Sequence, residues 1–246
     1  LISSGESLAR AKERPILFSA SMVRAILAGR KTQTRRIVKP QVSAWEPSAD
    51  WIGSNQPSKI HPAPYFDAYN GGPYWCWWDQ WNRQGPDWIK CPFGKPGERL
   101  WVRETWADVR GMGFDAKDRP GKMESAYRAE ASAEGLEIAK SYGVKWKPSI
   151  HMPRWASRIT LEVTGVRVER LQEISETDAI AEGLTRGCKD GKLVKYGFDD
   201  WPWQSWQKDP RRAFSYLWGS VQTQPDETGW NGNPWVWVIE FKRMEC

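Results

Sequence analysis

Gly29-Arg30-Lys31-Thr32-Gln33-Thr34-Arg35-Arg36 packs a glycine, four cations and two hydroxyls into eight residues. Just upstream, Met22, Val23, Ile26 and Leu27 recur at helical spacing, and Ser19 or Ser21 can cap the helix they define by accepting a backbone N–H bond. Gly29 supplies its stop, because a helix often ends on a left-handed residue that glycine adopts without strain. Residues 15–18 read as a short strand before this helix, and residues 31–38, rich in Thr, Arg and Val, as a strand after it.

Outward from this unit the pattern changes. Residues 40–97 hold Pro, Gly, Asn, Ser and a Trp75-Cys76-Trp77-Trp78 cluster with no sustained period. Disordered segments are poor in aromatics, so this stretch reads as a long ordered insertion. Residues 107–147 and 185–208 read as two more. Between them, the Pro96-Gly97 turn precedes an alternating strand over 100–106, and 158–171 carry the longest strand signal, with Gly165 marking a bulge. Ser175 and Asp178 spell a capping box for a short helix that Gly183 closes. Asp209-Pro210 opens another helix with Phe214, Leu217 and Trp218 on its apolar side, and 234–241 form a strand apolar on both faces, hence central. Without a repeated βαβ unit, this order predicts an α+β fold built on a small mixed or antiparallel barrel carrying insertions.

With 246 residues and 40% apolar content, the chain can bury a sizeable core, and no apolar run approaches the ~18 residues of a membrane helix. Residues 1–14 are polar and lack the apolar stretch of a secretory signal, so they read as a tail before one domain over 15–246, and the cytoplasm is the expected compartment. Cys76, Cys91, Cys188 and Cys246 form no CxxC pair, and His61 and His151 are the two histidines, which argues against a disulfide framework and a zinc site. Neither a metal nor a cofactor is expected, nor is an obligate protein partner. A net charge of +6 attracts anions, nucleic acid among them, and the 18 tryptophans can stack on bases or close a loop-rich core.

Lys31 and Thr34 are the first chemical candidates. Residues three apart on an ideal strand face opposite sides, so the two can cooperate only if the chain turns just past Gly29. Thr34 is then an oxygen nucleophile and Lys31 its base, given a lysine pKa depressed from about 10.4 by burial and by Arg35 and Arg36. Without that turn, the stretch is a solvated basic loop. Glu182 sits at the negative end of a helix, where a carboxylate is disfavoured and its pKa is expected to rise, suiting a proton donor; the plainer alternative is an exposed helical glutamate. Arg103 and Glu104 are either a pair at the rim of a site or one solvated strand face.

These residues resemble a known family. The Gly29–Arg36 stretch, the later Gly97-Glu98-Arg99-Leu100-Trp101-Val102-Arg103-Glu104, and the final Asn233-Pro234-Trp235-Val236-Trp237-Val238-Ile239-Glu240-Phe241 are similar to anchors of the ASCH domain, a relative of the PUA RNA-binding barrel. The long, tryptophan-rich ASCH proteins of phages and prophages are the nearest in character. The resemblance implies a PUA-like barrel and, from a smaller bacterial member that deacetylates N4-acetylcytidine, an amidohydrolase with Lys31, Thr34 and Glu182 as its catalytic set; Glu176 and Glu173 stand behind Glu182 for the third place. It further implies a nucleoside or RNA substrate, with Trp101, Trp155 or Trp235 stacking on the base, Arg36 and Arg154 holding substrate oxygens or phosphate, and Arg103 and Glu104 at the rim. Where the family motif often continues with one arginine and an acidic residue, this chain has Arg35-Arg36. Other members act as ribonucleases or as RNA binders without catalysis, and both remain alternatives.

Overall fold

The computed structural model describes residues 12–39, 63–67, 72–76, 89–110, 124–189, 193–221 and 228–245. Strand β1 (Glu13–Leu17) begins two residues inside the expected polar tail. Ser19 then caps α1 (Ala20–Leu27) by accepting from the Met22 N–H, and Gly29 beyond the helix takes φ +72°. The next strand, β2 (Gln33–Ile37), is shorter than expected, because Lys31 pairs alone with Glu182 before the ladder starts.

Residues 63–90 contribute β3 (Ala63–Asp67), β4 (Gly72–Cys76) and β5 (Ile89–Lys90), a small antiparallel sheet that periodicity had not signalled. Trp77 and Trp78 of the tryptophan cluster lie outside the described residues. The strand expected over 100–106 is two: β6 (Arg99–Arg103) and, past a break at Glu104 and Thr105, β7 (Trp106–Asp108), which pairs with β8 (Ser125–Tyr127). Helix α2 (Ala133–Ser141) has no buried residue. Two 3-10 turns (Ser149–His151 and Arg154–Ala156) lead into β9 (Thr160–Arg170), then α3 (Glu176–Ala181). The presumed loop over 185–208 contains a hairpin, β10 (Thr185–Lys189) with β11 (Leu193–Gly197). Trp206 packs so closely on that hairpin that a Cβ at Gly197 would meet its ring at 2.7 Å. Asp209 caps α4 (Pro210–Val221) through the Arg211 N–H, and β12 (Trp235–Arg243) completes the chain.

The main sheet runs β1-β6-β9-β12-β2, parallel between β1 and β6 and antiparallel elsewhere, so the α+β class holds. The expected closed barrel is not formed among the described residues. The sheet stays open, and its two edges meet through one side chain: Arg36 of β2 donates to the Leu17 carbonyl of β1 at 2.6 Å. Central β12 is buried as expected, and opposite Gly165 its register slips, as that bulge requires. Its alternation sorts the molecule into two cores. Trp235, Trp237, Ile239 and Phe241 join Phe18, Val23, Ile26 and Leu161 on one face, while Val236 and Val238 join Leu171, Phe214, Leu217 and Trp218 on the other.

Candidate functional site

Cross-strand partners point to the same face of a sheet, so register assigns β2's side chains. Thr34 lies opposite Ile239 and Arg36 opposite Trp237, placing both on the first face; Arg35 opposite Val238 faces the second. By simple alternation Lys31 would go with Arg35. Alternation does not govern Lys31, because residues 30–31 still belong to the turn: the Arg30 and Lys31 N–H groups both donate to the Ala25 carbonyl. Lys31 is thereby rotated until its ammonium lies 5.5 Å from the centre of the Phe18 ring, which Arg36 covers from 5.3 Å. The turn demanded by the sequence is present, and the Lys31 ammonium it carries meets both the Phe18 ring and the Glu182 carboxylate that Arg35 also holds.

Glu182 reaches Lys31 along the free edge of β2. Ser175 caps α3 from one end, and Gly183, at φ +104°, ends it, leaving Glu182 at the helix terminus facing Lys31. The Lys31 Nζ donates to Glu182 Oε2 at 2.7 Å and to the Glu182 carbonyl at 2.8 Å, and Arg35 donates to Oε1 at 3.1 Å. Lys31, Thr34, Arg35 and Glu182 are all buried, each less than 5% exposed. Two cations thus meet the carboxylate that sequence alone placed by itself at a negative helix end.

Behind this pair lies a network that sequence reasoning missed. Arg35 also donates to Glu169 at 2.9 Å and to Asp178 at 3.0 Å; Arg167 donates to Asp178 at 2.6 Å and reaches Glu240. Asp178 therefore spends its Oδ2 on two arginines, and the expected capping box shows only its Ser175 half, Ser175 accepting the Asp178 N–H at 3.0 Å. The one available signal was Arg167 and Glu169, two apart on a strand and so on one face.

Burial sets the titration of the site. It pulls the Lys31 pKa below its ordinary 10.5; Glu182 opposes this, while Arg36 and Arg35 add to it. Arg35 is also penalised by burial, but Glu182, Glu169 and Asp178 outweigh that and raise its pKa. Arg36 is lowered by burial, with only Glu182 opposing.

Thr34, Arg35, Arg36 and Glu182 line a cleft of about 740 Å³ whose walls include Phe18, Met22, Phe93, Phe214, Trp218 and Trp237. The tryptophans expected to stack on a base do not line it. Trp101 carries the Arg103 and Arg154 guanidiniums; Trp155 packs edge-on to Trp106 under Arg110; Trp235 is covered by Arg170 at 4.2 Å. Arg154 pairs with Glu13 at 2.8 Å, and Arg103 donates to the Met152 and Ile150 carbonyls. Glu104 is neither its partner nor solvated: it is 1% exposed and holds Arg158 at 2.9 Å and 3.2 Å. Of the aromatics that do reach the cleft, Phe214 and Trp218 on α4 and Trp237 on β12 are buried, so their place there was hidden within apolar patterns.

Among the described residues, no three His, Cys, Asp or Glu side chains are grouped to hold a metal, and no helix is long and apolar enough to cross a membrane. No protein-family model, no curated protein and no solved structure matches the chain.

Proposed function

We propose that this chain is an ASCH-like amidohydrolase of PUA-related fold, acting in the cytoplasm on an acyl-amide of a modified nucleobase such as N4-acetylcytidine. The observation that carries this reading is the buried Lys31–Glu182 ion pair, 2.7 Å long, beside the cleft that Thr34 lines. A buried charge pair is costly, and a hydrophobic pair of similar size often serves stability as well, so its presence at a cleft calls for chemistry.

In the fraction of molecules in which Lys31 has lost its proton, a fraction its lowered pKa enlarges, the neutral amine accepts the Thr34 hydroxyl proton as the threonine oxygen attacks the acyl carbon. The tetrahedral intermediate collapses by breaking the C–N bond. The leaving amine takes a proton delivered through the Lys31–Glu182 pair. Water then hydrolyses the threonyl ester, releasing acetate and restoring the hydroxyl. Phe18, Phe93, Trp218 and Trp237 offer the apolar wall against which a base can lie.

Incubation with N4-acetylcytidine should release acetate and cytidine, and Thr34→Ala should abolish release by at least a thousandfold while leaving circular dichroism unchanged. Thr34→Ser should retain measurable turnover. No acetate above background, together with salt-sensitive RNA binding, would replace the reading with a binding module; metal-dependent cleavage of unmodified RNA would replace it with a nuclease.

A further inference from the structure

Glu182 is divided between two cations. Its Oε2 and its own carbonyl accept from the Lys31 Nζ at 2.7 Å and 2.8 Å, while its Oε1 accepts from the Arg35 Nη1 at 3.1 Å. Lys31 can release a proton and keep both of its bonds, because the neutral amine still carries two N–H groups and gains a lone pair. The carboxylate is the harder partner: beside a neutral lysine, a buried Glu182 with no cation bonded to it would recapture a proton.

Arg35 supplies that cation. Its side chain is fully buried, and each of its nitrogens donates to a carboxylate: Nε to Glu169 at 2.9 Å, Nη2 to Glu169 and to Asp178 at 3.0 Å, and Nη1 to Glu182. The Phe214 ring lies 5.7 Å from the guanidinium. A planar fork engaged at all three nitrogens is held in one orientation. Burial opposes its charge, but Glu182, Glu169 and Asp178 outweigh burial, so Arg35 stays protonated. Behind it, Arg167 donates to Asp178 at 2.6 Å and to Glu169 at 3.3 Å, and reaches Glu240.

Helix α3 carries both ends of this arrangement, Asp178 in its first turn and Glu182 at its close. Three bonds fasten it to the Lys31–Gln33 step. Gln33 Nε2 donates to the Asp178 carbonyl at 2.8 Å, the Thr32 N–H to the Ala181 carbonyl at 2.9 Å, and Lys31 to the Glu182 carbonyl. We infer that Arg35 is the positioning residue of this site: it fixes Glu182 by Oε1 and keeps that carboxylate ionised while Lys31 stands neutral, with Glu169 and Asp178 holding its guanidinium in place. Use of the Lys31 lone pair on Thr34 rests on the amidohydrolase reading; the hold of Arg35 on Glu182 does not.

The test follows the titration of Lys31 by NMR of the full chain carrying isotope-labelled lysine. Burial opposes the Lys31 charge, Glu182 at the end of α3 favours it, and Arg36 and Arg35 of β2 oppose it; between β1 and α1 it meets the uncharged Phe18 ring. Arg35→Met should raise the Lys31 pKa, since Glu182 is then left to the lysine. Asp178→Asn should lower it, since a less neutralised Arg35 draws harder on Glu182. Arg35→Lys, which keeps the charge and loses the fork, should fall between wild type and Arg35→Met. Opposed shifts are not produced by a purely structural role. No movement in Arg35→Met and Asp178→Asn, or movement of both in the same direction, overturns the proposal. If Arg35→Met fails to fold, Asp178→Asn, at a side chain 26% exposed, decides by the direction of its shift. In acetate release, Arg35→Met should lose about tenfold or more in kcat at neutral pH and regain it as pH rises, with KM unchanged. Opposed Lys31 shifts without acetate release from the wild type remove the hydrolase and keep the positioning role; acetate release with an unmoved Lys31 does the reverse.

Discussion

Lys31 and Cys91 show how burial tunes single groups in opposite directions. In the mechanism proposed above Lys31 is the general base and must be deprotonated to work, so activity should rise with pH along a limb set by Lys31 and lying below 10.5. Arg36 helps to depress that pKa, so Arg36→Gln should shift the limb to higher pH, as a pH profile of kcat would show. Burial raises the Cys91 thiol to about 11, whereas Cys188 is exposed. Thiolate is the reactive form, so iodoacetamide at pH 8 should label Cys188 in the native protein and leave Cys91 unmodified, as peptide mapping would read. Because the unfolded thiol ionises first, near 9, Cys91 opposes unfolding at neutral pH, and that contribution is lost as pH climbs through about 11.

At the scale of elements, the site depends on how two helices end. Gly29 and Gly183 both adopt positive φ, yet only Gly183 is crowded: a Cβ there would stand 2.9 Å from that of Ala25 and 3.0 Å from that of Lys31. Gly29→Ala should therefore cost about 1 kcal/mol of backbone strain and little activity. Gly183→Ala should cost more, about 2–3 kcal/mol, and should also lower kcat by pushing Lys31 away from Glu182. Thermal melts and acetate release measured on both variants separate strain from displacement. Both stops, and the caps at Ser19 and Ser175, were legible because caps and glycine stops are local chemistry. Strands β10 and β11 were not, since that short hairpin packs on Trp206 and draws its stability from such a neighbour rather than from alternation.

At the scale of the whole molecule, Glu104 and Arg158 tie the end of β6 to the approach to β9, and Glu130, ahead of α2, pairs with the same arginine. Removing one member of a buried pair leaves an uncompensated charge, so Arg158→Met should destabilise by about 3 kcal/mol or more in denaturant unfolding. Burial already raises the Glu104 pKa above its ordinary 4.5, with Arg158 pulling it back. A carboxyl raised on folding favours the native state at low pH and loses that contribution as pH rises through its folded pKa. Without Arg158 the folded pKa climbs further, and the variant's deficit should be larger at pH 8 than at pH 5.

The local sequence determined the unit on which the proposed chemistry is built: a capped helix, a glycine stop and a Lys-x-x-Thr step, together with the central apolar strand over 235–243. Each follows from interactions within a few residues or from simple periodicity. Tertiary structure alone decided that Glu182 would arrive 151 positions later to meet Lys31, and that Arg35 would join the same carboxylate while also holding Glu169 and Asp178. Those outcomes depend on which strands are neighbours and in what register, and charges brought together across the chain leave no periodic trace along it.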